Sequence, residues 1–167
     1  VSEDPMFHGC FIQLPLPKHL SHLDPGELIY PKKDVDGFHE HHIGELFKGD
    51  PKSKYLMPCT PQGVLGTLNF YNFPVEGKNI VIIGRSLIVG KPLALLLLNN
   101  NATVTVCHSR TLNLKEHTKR ADIIVSAVGN TRFFTADYLS ESKDQVLVDV
   151  GINHDASGKL CGDMDYE

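Results

Sequence analysis

The rhythm of apolar and polar positions changes near residue 60. Downstream, short apolar runs alternate with stretches in which apolar residues recur every three or four positions. Residues 79–84, Asn-Ile-Val-Ile-Ile-Gly, are apolar at consecutive positions. That marks a parallel strand covered on both faces. Residues 102–107 are β-branched and alternating, which predicts a second strand. Residues 122–128 and 145–150 add a third and a fourth, closed by Gly129 and Gly151. Residues 89–98 and 114–120 read as helices, and 135–139 as a short helical turn. Pro92 fits only a first helical turn, so the helix at 89–98 starts near Val89 or Gly90. Strands separated by helical segments predict parallel crossovers and a doubly wound α/β sheet.

Upstream of residue 60 the signals are mixed. Residues 7–14 are mostly apolar and are stopped by Pro15 and Pro17, which predicts a buried strand followed by an extended loop. Residues 23–29 could form a short helix. Asp34-Val35-Asp36-Gly37 reads as a turn. Thr60-Pro61 predicts a helix start, with Thr as N-cap and Pro at the first helical position. Val64, Leu65, Leu68 and Tyr71 carry that helix on until Pro74 and Gly77 break it.

Composition narrows the function classes. Apolar residues make up 41% and charged residues 22%, as in ordinary globular domains. A net charge of −4 argues against a nucleic-acid partner. The apolar run at 92–98 is too short to cross a bilayer, so no membrane partner is expected. Cys10, Cys59, Cys107 and Cys161 are far apart and show no metal-ligand spacing. Reduced thiols in a cytoplasmic compartment are the expectation. His39-Glu40-His41-His42 lacks the helical H-E-x-x-H spacing. A solvated or cleft-edge loop, and no metal, is expected there.

The chemistry concentrates in Gly84-Arg85-Ser86-Leu87-Ile88-Val89-Gly90, between the first parallel strand and the helix after it. In open α/β sheets a turn of this kind cradles phosphate at a helix N-terminus. Gly84 lets the chain leave the strand, and Gly90 allows close approach. The spacing is not G-x-G-x-x-G, and a tight structural turn is the alternative reading. The second strand ends in Cys107-His108-Ser109-Arg110-Thr111, with no acid to take a ribose 2′-hydroxyl. Hydroxyl and guanidinium groups suit a 2′-phosphate instead, and Arg85 lies at the neighbouring strand end. The residues therefore favour NADP over NAD. Arg110 as a solvated loop residue is the alternative.

These residues, with Gln13-Leu14-Pro15-Leu16-Pro17, Lys33-Asp34-Val35-Asp36-Gly37, Pro58-Cys59-Thr60-Pro61, Ala102-Thr103-Val104-Thr105 and Val148-Asp149-Val150-Gly151-Ile152-Asn153, occur in family order over nearly the whole chain. Together they resemble the bifunctional methylenetetrahydrofolate dehydrogenase/methenyltetrahydrofolate cyclohydrolase family. The resemblance implies a cleft between a folate domain, whose second half is residues 1–60, and an NADP-binding Rossmann domain at 61–167. It implies hydride transfer from 5,10-methylenetetrahydrofolate to NADP⁺, then hydrolysis of the methenyl product to 10-formyltetrahydrofolate. It also implies a homodimer and tetrahydrofolate derivatives as the small-molecule partners. Carried over by position, Gln13 and Asp36 are the catalytic pair, with Ile12, Gln13, Leu14 and Asp36 on the substrate. Asp36 would contact the pterin, and Gln13 would hydrogen-bond within the catalytic network. Gly84, Arg85 and Ser86 would hold the cofactor phosphates, Arg85 and Ser109 the 2′-phosphate, and Ile152 the nicotinamide end.

Chemistry agrees with these roles. A carboxylate can accept two N–H donors from a pterin edge, and an amide offers both donor and acceptor. On the residues alone, Asp34 and Asp36 could equally be solvated turn acids, and Gln13 a plain loop residue. The chain also departs from the family. It has no Tyr-x-x-x-Lys helix and no Pro-Gly-Gly-Val-Gly-Pro-Met-Thr segment, and Ser2 stands where the family usually carries Asn. It begins at Val1 without Met. A fragment is therefore expected, and the 167-residue polypeptide by itself should lack cyclohydrolase activity. Two further readings stay open on the residues: a catalytically silent NADP-binding or interaction module, and another NADP-dependent reductase on the same fold.

Overall fold

The computed structural model describes residues 3–166. The Ser2 departure lies outside them. The elements are α1 (Glu40–Lys48), α2 (Cys59–Phe70), β1 (Asn79–Ile83), α3 (Gly90–Asn99), β2 (Thr103–Cys107), α4 (Leu114–Arg120), β3 (Ile123–Ser126), β4 (Val146–Asp149), β5 (Asn153–His154) and β6 (Leu160–Cys161). β1 to β4 form one sheet in the order β2-β1-β3-β4, with every neighbouring pair parallel. β5 and β6 form a separate antiparallel hairpin.

The consecutive apolar residues of β1 explain its central place. Ile80 and Ile82 point into one cluster, with Val64 and Leu68 of α2 and Leu93 and Leu97 of α3. Val81 and Ile83 point into the opposite one, with Cys107, Ala121, Ile124, Phe134 and Met164. The period of two along a strand sends alternate side chains to opposite faces. Both faces are covered, as a doubly wound parallel sheet requires.

Boundaries shift where caps decide them. The helix expected to start at Thr60-Pro61 is capped by Pro58, so Cys59 is its first residue. Thr60 therefore lies inside it and is not the N-cap. Val89 caps α3, which places Pro92 in its first turn. The expected turn at 135–139 is a 3-10 turn at Ala136–Tyr138.

The upstream third corrects three expectations. Residues 7–14 form no strand. Cys10 alone bridges Asp34, by Cys10 N–H to Lys33 O (2.8 Å) and Val35 N–H to Cys10 O (3.3 Å). Phe7 and Phe11 are exposed, so this apolar run lacks the two-sided cover that would make it a buried strand. Residues 23–29 are successive turns and not a helix. The segment at His39-Glu40-His41-His42 is not a loop but the start of α1. The His39 ring Nδ1 accepts the His41 N–H (3.0 Å), and Gly49 ends the helix at φ 64. Asn99 at the end of α3 donates to Leu46 O (2.7 Å), which docks α1 on the sheet's helical layer.

Candidate active site

Strand register assembles the cofactor side. Ile83 pairs with both Cys107 and Ser126, and Ser126 with Asp149. The loops after β1, β2, β3 and β4 therefore open onto one edge of the sheet, where such sheets bind ligands. Gly84 leaves β1 at φ 126, and a Cβ there would overlap the Ala127 carbonyl. A Cβ on Gly90 would overlap the Gly84 carbonyl. Both positions need glycine, and the loop between them is drawn tight over the N-terminus of α3. Ser86 shapes it from inside: its Oγ accepts the N–H of Val89 (3.1 Å) and, more weakly, of Gly90 (3.4 Å).

Arg85 and Ser86 are exposed on this edge, as are Ser109 and Arg110 at the end of β2. His108 N–H donates to Thr111 Oγ1 (2.8 Å), and Thr111 N–H to His108 O (2.8 Å), which closes a turn that presents Ser109 and Arg110. The residues present fit a dinucleotide phosphate. Glycine stands where backbone must approach, a helix N-terminus faces the loop, and guanidinium and hydroxyl groups are free to turn toward a 2′-phosphate. Ile152, after β4, is 80% exposed on the same edge but outside the glycine loop.

The other half is built on a buried carboxylate. Asp34 is 2% exposed. It accepts the N–H groups of Asp36 (3.1 Å) and Gly37 (3.0 Å) on one oxygen and of His39 (2.7 Å) on the other. Gly37 takes φ 71, and a Cβ there would overlap the Leu56 carbonyl. Asp34 is thus not a solvated turn acid, and the turn it organises carries Asp36. Asp36 itself is half-buried. Burial pushes its carboxyl above the usual carboxylate range, the Asp34 charge adds to this, and the Cys59 thiol, 3.9 Å from Oδ1, opposes it.

Ile12, Gln13, Leu14 and Asp36 line one cavity of about 250 Å³, together with Phe38, Cys59 and Ile88. Gln13 is exposed, and its Nε2 donates to Leu14 O (3.1 Å). Ile88 belongs to the glycine loop, so the two halves meet here. A second, more apolar cavity of about 340 Å³ adjoins it, and Leu14, Phe38 and Ile88 line both. Gly84, Arg85, Ser86, Ser109 and Ile152 do not line the smaller cavity. Of the other lining residues, Phe38 lies just outside the family motifs, Thr60 reads only as a helix cap, and Ile88 only as part of the glycine loop. Among the described residues no cluster of three or more His, Cys, Asp or Glu could hold a metal, and no helix is long and apolar enough to cross a membrane.

Residues 58–167 match the family described as tetrahydrofolate dehydrogenase/cyclohydrolase, NAD(P)-binding domain. The chain belongs to the tetrahydrofolate dehydrogenase/cyclohydrolase family. It is 51% identical over 166 residues to the bifunctional protein FolD of Bacillus subtilis, covering 99% of this chain and 57% of that protein. Among solved structures, the bifunctional FolD of Campylobacter jejuni superposes with a TM-score of 0.89 at 43% identity, over 99% of this chain and 57% of that one. The Trypanosoma brucei FolD, solved with NADP cofactor and inhibitor, gives a TM-score of 0.88 at 31% identity, with the same coverage. The chain therefore spans a little over half the length of these dehydrogenase/cyclohydrolases.

Proposed function

We propose that this chain carries the NADP-binding part and the adjoining folate-site residues of a methylenetetrahydrofolate dehydrogenase/cyclohydrolase. Residues 1–60 would belong to the folate domain and 61–167 to the cofactor domain. The observation that carries the reading is the shared cavity, in which Asp36 and Gln13 face Ile88 of the glycine loop.

Bound NADP⁺ would supply the hydride acceptor. Hydride transfer needs no protein acid or base, only two rings held in register with water kept out. Asp36, held in place by Asp34, would accept N–H donors from the pterin edge. Gln13, with donor and acceptor at one tip, would hydrogen-bond the reacting end of the folate. Ile12, Leu14, Phe38 and Ile88 would exclude water between them. Gly84 and Gly90 would let phosphate approach the N-terminus of α3. Arg85 and Ser109 would take the 2′-phosphate, and Ile152 would border the nicotinamide. A cyclohydrolase step would need the family's lysine, which these 167 residues lack. A cytoplasmic homodimer acting in one-carbon metabolism, upstream of purine biosynthesis, completes the proposal.

Calorimetric titration of the chain with NADP⁺ and NAD⁺ tests it. NADP⁺ should bind more tightly, and Arg85→Ala should weaken NADP⁺ about ten-fold or more while leaving NAD⁺ nearly unchanged. Equal binding of the two, or no effect of the substitution, would overturn the 2′-phosphate assignment.

A further inference from the structure

Asp163 is a charged side chain with no exposed surface. Its Oδ2 accepts Ser126 Oγ–H (3.0 Å) and Val128 N–H (2.8 Å). Its Oδ1 accepts Asn130 N–H (2.9 Å) and Asn153 Nδ2–H (2.9 Å). None of these four donors carries a charge, so backbone and side-chain dipoles hold the carboxylate. Burial alone would raise its pKa, but the donors together outweigh burial and hold it below the usual carboxylate range.

The partners are not scattered. Ser126 ends β3, Val128 and Asn130 lie in the loop that leaves it, and Asn153 follows Ile152. One carboxylate therefore ties the exit loop of β3 to the segment after β4. The fit is close on both sides. A Cβ on Gly151 would overlap the Asp163 carboxylate, and a Cβ on Gly162 would overlap that of Asp149. Asp149 Oδ1 in turn accepts the N–H groups of Asp163 (3.0 Å) and Gly151 (2.9 Å).

Two apolar side chains stand out from this pinned backbone on the strand-end edge: Val128, 40% exposed, and Ile152, 80% exposed. The same β3 exit loop presses its Ala127 carbonyl against Gly84. A rigid polar network beneath two outward apolar groups, next to the phosphate turn, is what holding one face of a flat heteroaromatic ring requires.

We infer that Asp163 is a positioning residue for the cofactor groove, one that sets Val128 and Ile152 as its nicotinamide-side wall. This rests on the NADP reading above. Asp163 touches no ligand itself. It acts on the nicotinamide half of the groove and leaves the phosphate half to Arg85, Ser86 and Ser109.

The test compares two ligands on the wild-type chain, Asp163→Asn and Asn153→Ala. NADP⁺ reads the whole groove, whereas adenosine 2′,5′-bisphosphate reads only the adenosine and 2′-phosphate half. Affinities come from calorimetry and folding from thermal melts. Both variants should lose about ten-fold in NADP⁺ affinity while bisphosphate affinity changes less than about two-fold. Asn153→Ala removes a single donor, so it keeps the test decisive if Asp163→Asn fails to fold. Equal losses for both ligands, or a lowered melting temperature with NADP⁺ affinity unchanged, would show a purely structural role and overturn the inference. A wild-type chain that binds neither ligand would overturn the cofactor reading and this inference with it. One that binds both, with variants unaltered, would overturn this inference alone.

Discussion

In residues 3–57 the buried apolar side chains are Ile29 and Leu46, whereas residues 58–166 bury two continuous clusters on either face of a parallel sheet. The upstream region is ordered largely by polar means. Asp34 gathers three backbone N–H groups, and His42 bridges Pro31 O (2.8 Å) and Leu56 N–H (3.2 Å). Downstream, hydrophobic burial builds the sheet, and the buried Asp163 acts only at its loop edge. The lesson is that a buried carboxylate shapes the site in each half, while its structural weight differs. Beneath Asp36 it stands in for a core, and beneath the β3 exit loop it is added to one.

Core truncation should separate the halves most. Leu97 is fully buried between α3 and the sheet, and Leu97→Ala should cost about 2–5 kcal/mol in urea unfolding. Ile29→Ala should cost clearly less, because fewer apolar neighbours surround it. Equal costs would erase the contrast. Next comes Asp34→Asn, which weakens three charge-assisted backbone contacts at once. A loss of about 1.5–3 kcal/mol is expected, with rapid proteolysis near residues 34–58 and the sheet's melting nearly unmoved. Protection of that segment in the variant would break the claim that Asp34 stands in for a core.

The smallest effect concerns the sign of a pH dependence. Asp163 has a lowered pKa in the fold, so its stabilisation is complete above the unfolded carboxylate value of about 3.9 and is lost as pH falls through the folded value. Asp36 has a raised one, so its ionised form costs stability, a cost that appears as pH rises from about 3.9 through the folded value. Asp36→Asn should therefore be neutral or stabilising by no more than about 0.5 kcal/mol at pH 7, and the gain should vanish near pH 3. Folate affinity should fall all the same. Melting curves across pH 3–8 decide it: a variant destabilised at pH 7 would contradict the assigned sign.

Legibility in the sequence followed the same divide. β1, β3 and α3 could be read because burial drives them and burial leaves a period, whereas β4 is only half-buried and α4 buries Thr118 alone, so these two were read from their place in the strand–helix alternation. Ile80 through Ile83 announce a two-faced strand directly. Residues 7–14 misled because their apolar side chains are not buried: Phe7 and Phe11 stay exposed, and a run of hydrophobes signals a strand only when something covers it. α1 was hidden because its buried positions are only His42 and Leu46 and its N-cap is a histidine ring. The glycine loop was legible as a turn, and Asp36 as a turn acid. That Asp36 shares a cavity with Gln13 and Ile88 depends on packing between distant segments, which no local spacing encodes. Asp163 was invisible for the same reason, since its partners reach back to Ser126.

That reach of 37 residues between Ser126 and Asp163 has a consequence for the order of assembly. Synthesis proceeds from the N-terminus, and the sheet can form once β4 has left the ribosome, because each strand by then has its neighbours. The β3 exit loop cannot settle until residue 163 has emerged to gather Ser126, Val128 and Asn130. The growing chain therefore passes through a stage in which β1 to β4 can already pair while the groove beside them is still unfinished.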